Sequence, residues 1–322
     1  MPDASDHTAN TRGYLVALVA TAFLSTTSII IRFLTQTYHM PALVLAFWRA
    51  FLVALVMAVA LLVMKRSLLG IGWRHIRYFI LYGLVLAVFN SLWTLSVSIN
   101  GAGIATVLAY SSTAFTALLG WWLLKEQLDW VKGVAVALAL IGCVLVSGAL
   151  DPAAWVSNLL GIVTGVLTGL GYAAYTLMGR SAAQRGVNPW TTLMYAFGCA
   201  SIFLLLFSLL GGGLLPGAAS RPADLLWLRD SALGWGMLFL LAAGPTVIGF
   251  GLYNVSLSLL PASVANLIAT LEPAFTVVTA YFLFHETLSP IQIAGSLMIV
   301  AGVVFMRVNE GRLTSRMAAV LE

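Results

Sequence analysis

Between Gly13 and Arg307 the chain falls into ten apolar runs, near 13–34, 41–64, 76–99, 102–124, 131–149, 158–179, 190–211, 233–257, 262–284 and 290–307. A helix needs about 20 apolar residues to cross the hydrocarbon core of a bilayer, and these runs have that length. Such segments satisfy their backbone polar groups internally and present apolar side chains all round, which suits lipid and not water. Composition points the same way. Only 8% of the 322 residues are charged and 61% are hydrophobic, whereas a soluble domain carries about a quarter charged residues. The expected fold class is an all-α polytopic membrane protein with ten transmembrane helices.

The breaks between runs have physical causes. Lys65-Arg66, Asn100-Gly101, Lys125-Glu126, Asp151-Pro152, Arg185-Gly186, Gly211–Gly213, Pro261 and His285-Glu286 are charges or helix stops. The junctions at Gly101 and Pro261 are so short that the flanking helices are expected to be adjacent hairpins. The first run is longer than a signal-peptide core and reads as a span. With the N-terminus inside, the cytoplasmic segments hold twelve Lys and Arg residues, against Arg32, Arg221 and Arg229 on the other side. Both termini are therefore expected in the cytoplasm, and a bacterial inner membrane is the expected location. The net charge of +5 is scattered among short loops, which argues against nucleic-acid binding. Cys143 and Cys199 each sit in an apolar run and read as small hydrophobes.

The chain repeats itself. Shifted by 160 residues, Ala102–Val146 aligns without a gap on Ala262–Met306, with identities that include Ala114-Phe115-Thr116, Glu126, Leu128 and Gly142. An offset near 148 pairs Gly13 with Gly161, Arg32 with Arg180 and Pro41 with Pro189. Each half then holds five spans. Because five is odd, the second half enters from the opposite side, giving an inverted repeat of the kind alternating-access transporters use. The expected units are a tail over 1–12, a first repeat over 13–150, a second over 151–308, and a tail over 309–322.

The stretch Ala46-Phe47-Trp48-Arg49, the run Leu271-Glu272-Pro273-Ala274-Phe275 continuing to His285-Glu286-Thr287-Leu288 and Gly295, and the first-half counterpart Leu123 to Leu128 resemble the EamA domains of the drug/metabolite transporter superfamily. That resemblance covers nearly the whole chain and implies tandem five-helix repeats. Within the superfamily the chain looks most like the YddG-type exporters, which implies efflux of amino acids, aromatic ones among them. The two halves differ at one point: Glu272-Pro273 stands where the first half has Ser112-Thr113, so neither the carboxylate nor a proline break is expected to be symmetric.

An ionisable residue at membrane depth costs a few kcal/mol and asks for a reason. Arg49 lies about 12 Å from one end of its span and Glu272 about 15 Å from one end of its own, so both fall near mid-depth. They are read either as a buried structural pair or as ligands for a substrate carboxylate and for an ammonium or proton. Tyr82, Asn90 and Trp93 share one helix stripe, and Tyr110 with Ser111, Tyr175, and Tyr253 with Asn254 add hydroxyl and amide groups at similar depth. These residues with Arg49 and Glu272 form the expected substrate-binding set, and Glu272 is the candidate for proton coupling. Gly244, Pro245 and Pro273 are candidate hinges. Gly161, Gly165 and Gly169 read as a helix-packing face. Glu126 and Glu286 read as headgroup-level anchors.

Neither a P-loop, a serine elbow nor a metal cluster appears in the sequence, and no cofactor or catalytic residue is expected. The function that follows is a secondary transporter exporting amino acids or related metabolites through a central cavity between the repeats, as a monomer or homodimer in lipid. The rivals are a polytopic enzyme acting on lipids, a channel or receptor, and the same fold moving drugs, sugars or nucleotide derivatives.

Overall fold

In the computed structural model, residues 4–146, 159–210, 215–276, 278 and 289–321 are described. The helices are α1 (Ala4–Leu24), α2 (Thr27–Thr37), α3 (Ala42–Met64), α4 (Trp73–Ala109), α5 (Ser112–Leu124), α6 (Trp130–Val146), α7 (Leu159–Gln184), α8 (Pro189–Leu210), α9 (Ala232–Leu241), a π-helical segment (Ala242–Phe250), α10 (Gly251–Leu259), α11 (Ala262–Ala269) and α12 (Pro290–Leu321). Among the described residues there is no strand.

Among the described residues, seven segments are long and apolar enough to cross a membrane: Thr11–Thr37, Ala42–Met64, His75–Asn100, Ala105–Leu124, Leu159–Gln184, Pro189–Leu209 and Ala232–Leu259. Two shorter apolar helices cover Trp130–Leu145 and Pro290–Met306. The remaining expected run opens as α11, resumes at Glu272 and passes outside the described residues. The expected breaks at Asp151-Pro152, Gly211–Gly213 and His285-Glu286 also lie outside them. At the C-terminus helix continues to Leu321, beyond the expected end of the last span near 307.

The Gly101 junction forms the expected hairpin, without a non-helical connection. Helical residues follow one another from Trp73 to Ala109, yet the chain crosses the bundle twice, as His75–Asn100 and Ala105–Leu124. Moving along α4, Tyr82 comes up against Gly179, Phe89 against Gly171, and Asn100 donates to the Gly161 carbonyl at 2.9 Å. After that the order along α7 inverts, with Leu108 against Gly165 and Ser111 against Gly169. The hairpin thus lies between Asn100 and Leu108, inside a continuous helical run. The glycine face of α7 is what admits both arms: a Cβ on Gly165 would sit 2.4 Å from Leu108, and one on Gly169 2.1 Å from Ser111.

Contacts recur at the sequence offsets. A Cβ on Gly142 would meet the Gly295 carbonyl at 2.6 Å and Ile299 at 2.7 Å, and one on Gly302 would meet the Ala135 carbonyl at 2.9 Å and Ala139 at 3.5 Å. Adding 160 to 135, 139 and 142 gives 295, 299 and 302, so α6 and α12 pack through the same residues in each direction. The α1 end of the bundle obeys the same rule. Gly13 abuts Leu260 as Gly161 abuts Asn100, the partners related by 148 and 160.

Three of the apolar segments are interrupted near their middle. α1 gives way to α2 at Ser25-Thr26, α5 starts after a turn at Tyr110-Ser111, and α11 stops at Thr270-Leu271 before helix resumes at Glu272. The last two breaks are 160 residues apart. The break is therefore symmetric, contrary to the expectation drawn from Pro273. The chain makes it through i→i+3 bonds, Tyr110 N–H to the Val107 carbonyl and Thr270 N–H to the Leu267 carbonyl, each 3.1 Å, which tighten the last helical turn without a proline. Only the carboxylate is asymmetric.

Candidate functional site: a polar cavity closed at one end

The breaks leave polar side chains facing inward. They border a cavity of about 30 Å³, room for about two water molecules, lined by Leu24 and Thr27, Arg49, the α4 residues Phe89, Asn90 and Trp93, Ala109 and Tyr110, Tyr172, Phe250, and Glu272. Within Ala46-Phe47-Trp48-Arg49, Trp48 turns outward. Its indole N–H donates to the Leu225 carbonyl at 2.6 Å and its ring meets Trp235 edge-on at 4.9 Å. The next residue is rotated by about 100° around α3, which sends Arg49 into the bundle at 1% exposure. There Nη2 donates to Asn90 Oδ1, while Nε and Nη1 have no protein partner. Glu272 stands at the first turn after the Thr270-Leu271 break and accepts from the Tyr110 hydroxyl at 2.5 Å. Arg49 and Glu272 thus share one cavity without pairing.

Of the expected binding residues, Arg49, Asn90, Trp93, Tyr110 and Glu272 line this cavity. Tyr82, Tyr175, Tyr253 and Asn254 bond instead to one another and to their neighbours in a layer beside it. The Tyr82 hydroxyl donates to the Tyr175 carbonyl at 3.0 Å, Asn254 Nδ2 donates to the Tyr175 hydroxyl at 3.1 Å, and Thr176 and Tyr253 share a bond of 2.9 Å. Asn266 joins them, with Nδ2 3.4 Å from both Thr176 and Tyr253 and its Oδ1 accepting from Ser112 at 3.2 Å. All are buried. Ser111 bonds back to its own Leu108 carbonyl at 2.7 Å.

Beyond that layer lies Glu126, which the sequence alone presents as a headgroup-level anchor. The structure gives it a different task. Lys125 takes a left-handed conformation, φ 56°, that ends α5 and turns Glu126 toward the start of α11. There its carboxylate accepts from the Ala262 N–H at 2.6 Å, the Ser263 N–H at 3.2 Å and the Ser263 hydroxyl at 2.5 Å. A carboxylate on the open N–H groups of a helix start is favourable both as a hydrogen-bond acceptor and against the helix dipole. Along the chain that begins with α11, Ser263 meets Glu126, Asn266 enters the tyrosine layer and Glu272 lines the cavity. These levels fix the closed end as the one at Glu126.

Arg180 closes the same end by donating to the Leu257 carbonyl at 2.9 Å. In the second turn of α4, Tyr78 donates to the Met178 carbonyl and carries Arg185 4.5 Å over its ring. Gly244 and Pro245 fall inside a π-helical segment of nine residues, where Thr246 Oγ1 donates five residues back to Leu241 at 2.7 Å. The wider turn accommodates Pro245 within the α9–α10 path, which reaches the cavity wall at Phe250. Pro273 sits in the first turn after the break, where its missing N–H costs nothing.

Sequence reasoning passed over Thr27, Phe89 and Phe250 as cavity residues, weighed Tyr172 between ligand contact and helix packing, and did not foresee Asn266, Ser112 and Glu126 bonding across the halves. Asn266 was visible as an amide in an apolar run. The phenylalanines carried no signal, because lipid-facing and cavity-facing rings look alike in sequence.

A bundle of apolar helices that encloses a polar cavity at the level of its broken helices is the construction of a membrane transport protein. The chain belongs to the EamA-like transporter family, whose model matches residues 11–148 and again 159–308. It is 30% identical to an uncharacterized transporter of Archaeoglobus fulgidus over 68% of this chain and 73% of that one. It is 25% identical to an S-adenosylmethionine uptake transporter of Rickettsia conorii over 74% of each. A probable amino-acid metabolite efflux pump of Salmonella typhimurium is 26% identical over 62% of this chain and 66% of its own. One solved crystal structure superposes with a TM-score of 0.72 at 16% identity, covering 94% of this chain and 99% of that one, which supports the fold alone.

Proposed function

We propose that this protein is a secondary transporter that exports amino acids or closely related metabolites by alternating access, through the cavity between two inverted five-helix halves. The observation that carries the reading is the cross-half closure at one end: Glu126 on α11, and Ser112 with Asn266, join residues 154 or 136 and 137 positions apart. Bonds that tie the halves together beside a cavity are those a rocking motion must break. The cavity is too tight for an amino acid as it stands, so loading requires the halves to part. By the distribution of Lys and Arg, the closed end faces the cytoplasm, with both termini on that side and the chain in a bacterial inner membrane. Glu272 is the proton-coupling candidate, being the carboxyl group on the cavity wall.

The relatives favour this solute class. One is named for amino-acid metabolites and another for S-adenosylmethionine, a compound that itself carries an α-amino-acid headgroup. They differ in named direction, so export rests on the resemblance to exporters and on the gradient supplied. The test is flux of radiolabelled aromatic, aliphatic and charged amino acids from proteoliposomes, repeated with Glu272→Gln and across a pH gradient. Saturable flux of several species supports the reading, and loss of its pH dependence in the variant makes Glu272 the coupling group. Absence of flux for every amino acid refutes the solute class and redirects the search to sugars, nucleotide derivatives or drugs.

A further inference from the structure

The two poles of the cavity are chemically unequal. At one, Arg49 is 1% exposed with Nε and Nη1 unpartnered. Its neighbour Asn90 spends its carbonyl oxygen on Arg49 and leaves Nδ2, also buried, without a partner. The Thr27 hydroxyl, on the lining of the same cavity, is buried and unpartnered too. The unused capacity of the amide and guanidinium is entirely donor, since neither Nδ2 nor a guanidinium nitrogen accepts. Buried donors around a formal positive charge are costly unless an anion meets them. At the other pole the Glu272 carboxyl takes its hydrogen bond from Tyr110. The same lining includes the rings of Phe89, Trp93, Tyr172 and Phe250.

We infer that the Arg49–Asn90 pole is a subsite for the carboxylate of the transported solute, with Thr27 on the same lining, and that this carboxylate, more than the amine or side chain, is what the protein selects. The inference deepens the proposed transport function and rests on it. A planar carboxylate matches the guanidinium fork in two parallel hydrogen bonds. A phosphate monoester would bring a second negative charge into the cavity that Glu272 already borders, so the single charge of a carboxylate fits better. A zwitterion oriented with its ammonium toward Glu272 leaves both buried charges paired. Such a ligand also supplies the anion that Arg49 lacks within the protein, which couples loading to the stability of the closed cavity. Lysine at position 49 keeps the charge and loses the fork, so it is not a conservative replacement here.

The experiment uses the purified full chain and needs no variant for its main arm. Thermal unfolding is followed against glycine, leucine, phenylalanine and glutamate, each compared with its carboxamide, and phenylalanine also with 2-phenylethylamine, 3-phenylpropanoate and phenyl phosphate. Acids are expected to bind on the order of 10- to 100-fold more tightly than their amides, with 3-phenylpropanoate retaining most of the affinity and 2-phenylethylamine losing it. Arg49→Lys is expected to erase the acid-over-amide preference while leaving the unliganded protein folded. If no acid binds better than its amide, or if phenyl phosphate outcompetes every carboxylate, the inference is overturned. Selective binding of the acids without flux in proteoliposomes would instead sink the transport reading and leave the subsite standing.

Discussion

Replacing Glu126 with glutamine isolates the closure of one end from everything at the cavity. The carboxylate receives three donors, at 2.6, 3.2 and 2.5 Å, at a half-buried helix start. Hydrogen bonds to a charged group contribute about 1.5–3 kcal/mol each when buried, but Glu126 is partly exposed and its charge is screened. An amide keeps the shape and one accepting oxygen while presenting an NH2 to the remaining donors. A loss of about 2 kcal/mol for the closed arrangement follows, or roughly a thirtyfold shift toward its opening. The assay is labelling of a single cysteine at Ala109, a buried cavity position, in a background with Cys143 and Cys199 replaced. A membrane-impermeant thiol reagent applied from the Glu126 side should react up to about thirty times faster in Glu126→Gln. A labelling rate within twofold of the parent would refute the idea that this contact holds the end shut. An equal rise from both sides would refute it too, by pointing to general loosening.

Three further outcomes test the packing and the π-helical segment. Gly142→Ala places a Cβ 2.6 Å from the Gly295 carbonyl and should cost about 1–3 kcal/mol. In the same helix Gly133→Ala meets nothing within 4 Å and should stabilise by up to about 1 kcal/mol; melting temperatures in detergent that failed to separate the two would contradict the α6–α12 contact. Pro245→Ala restores an N–H within the π-helical segment, so the protein should melt no lower while flux falls; unchanged flux would remove that segment from the mechanism. Trp48→Phe removes the bond to the Leu225 carbonyl at about 1 kcal/mol and should expose the 222–226 segment to faster proteolysis, with an unaltered cleavage rate counting against that anchor.

Much of this molecule was legible without coordinates, for one reason: in a membrane each span must satisfy its own backbone, so length and apolarity translate directly into helices. The spans, the repeat offsets of 148 and 160, and the presence of Arg49 and Glu272 at mid-depth are all linear properties, and the structure's paired contacts at Gly142 and Gly302 follow the offset residue for residue. What tertiary structure decided is which polar groups meet. Tyr82, Tyr175, Tyr253 and Asn254 have the same composition as a binding site, yet their hydroxyls and the Asn254 amide nitrogen bond within their own layer, whereas Arg49 and Asn90 bond to each other and leave donors over. Glu126 has no nearby partner in sequence and finds one 136 residues away. The symmetric helix breaks come from local i→i+3 bonds that no proline announces in the first half. A one-dimensional pattern specifies which faces are apolar; only packing between the halves settles which partner a buried hydroxyl, amide or guanidinium finds and which of its donors are left over.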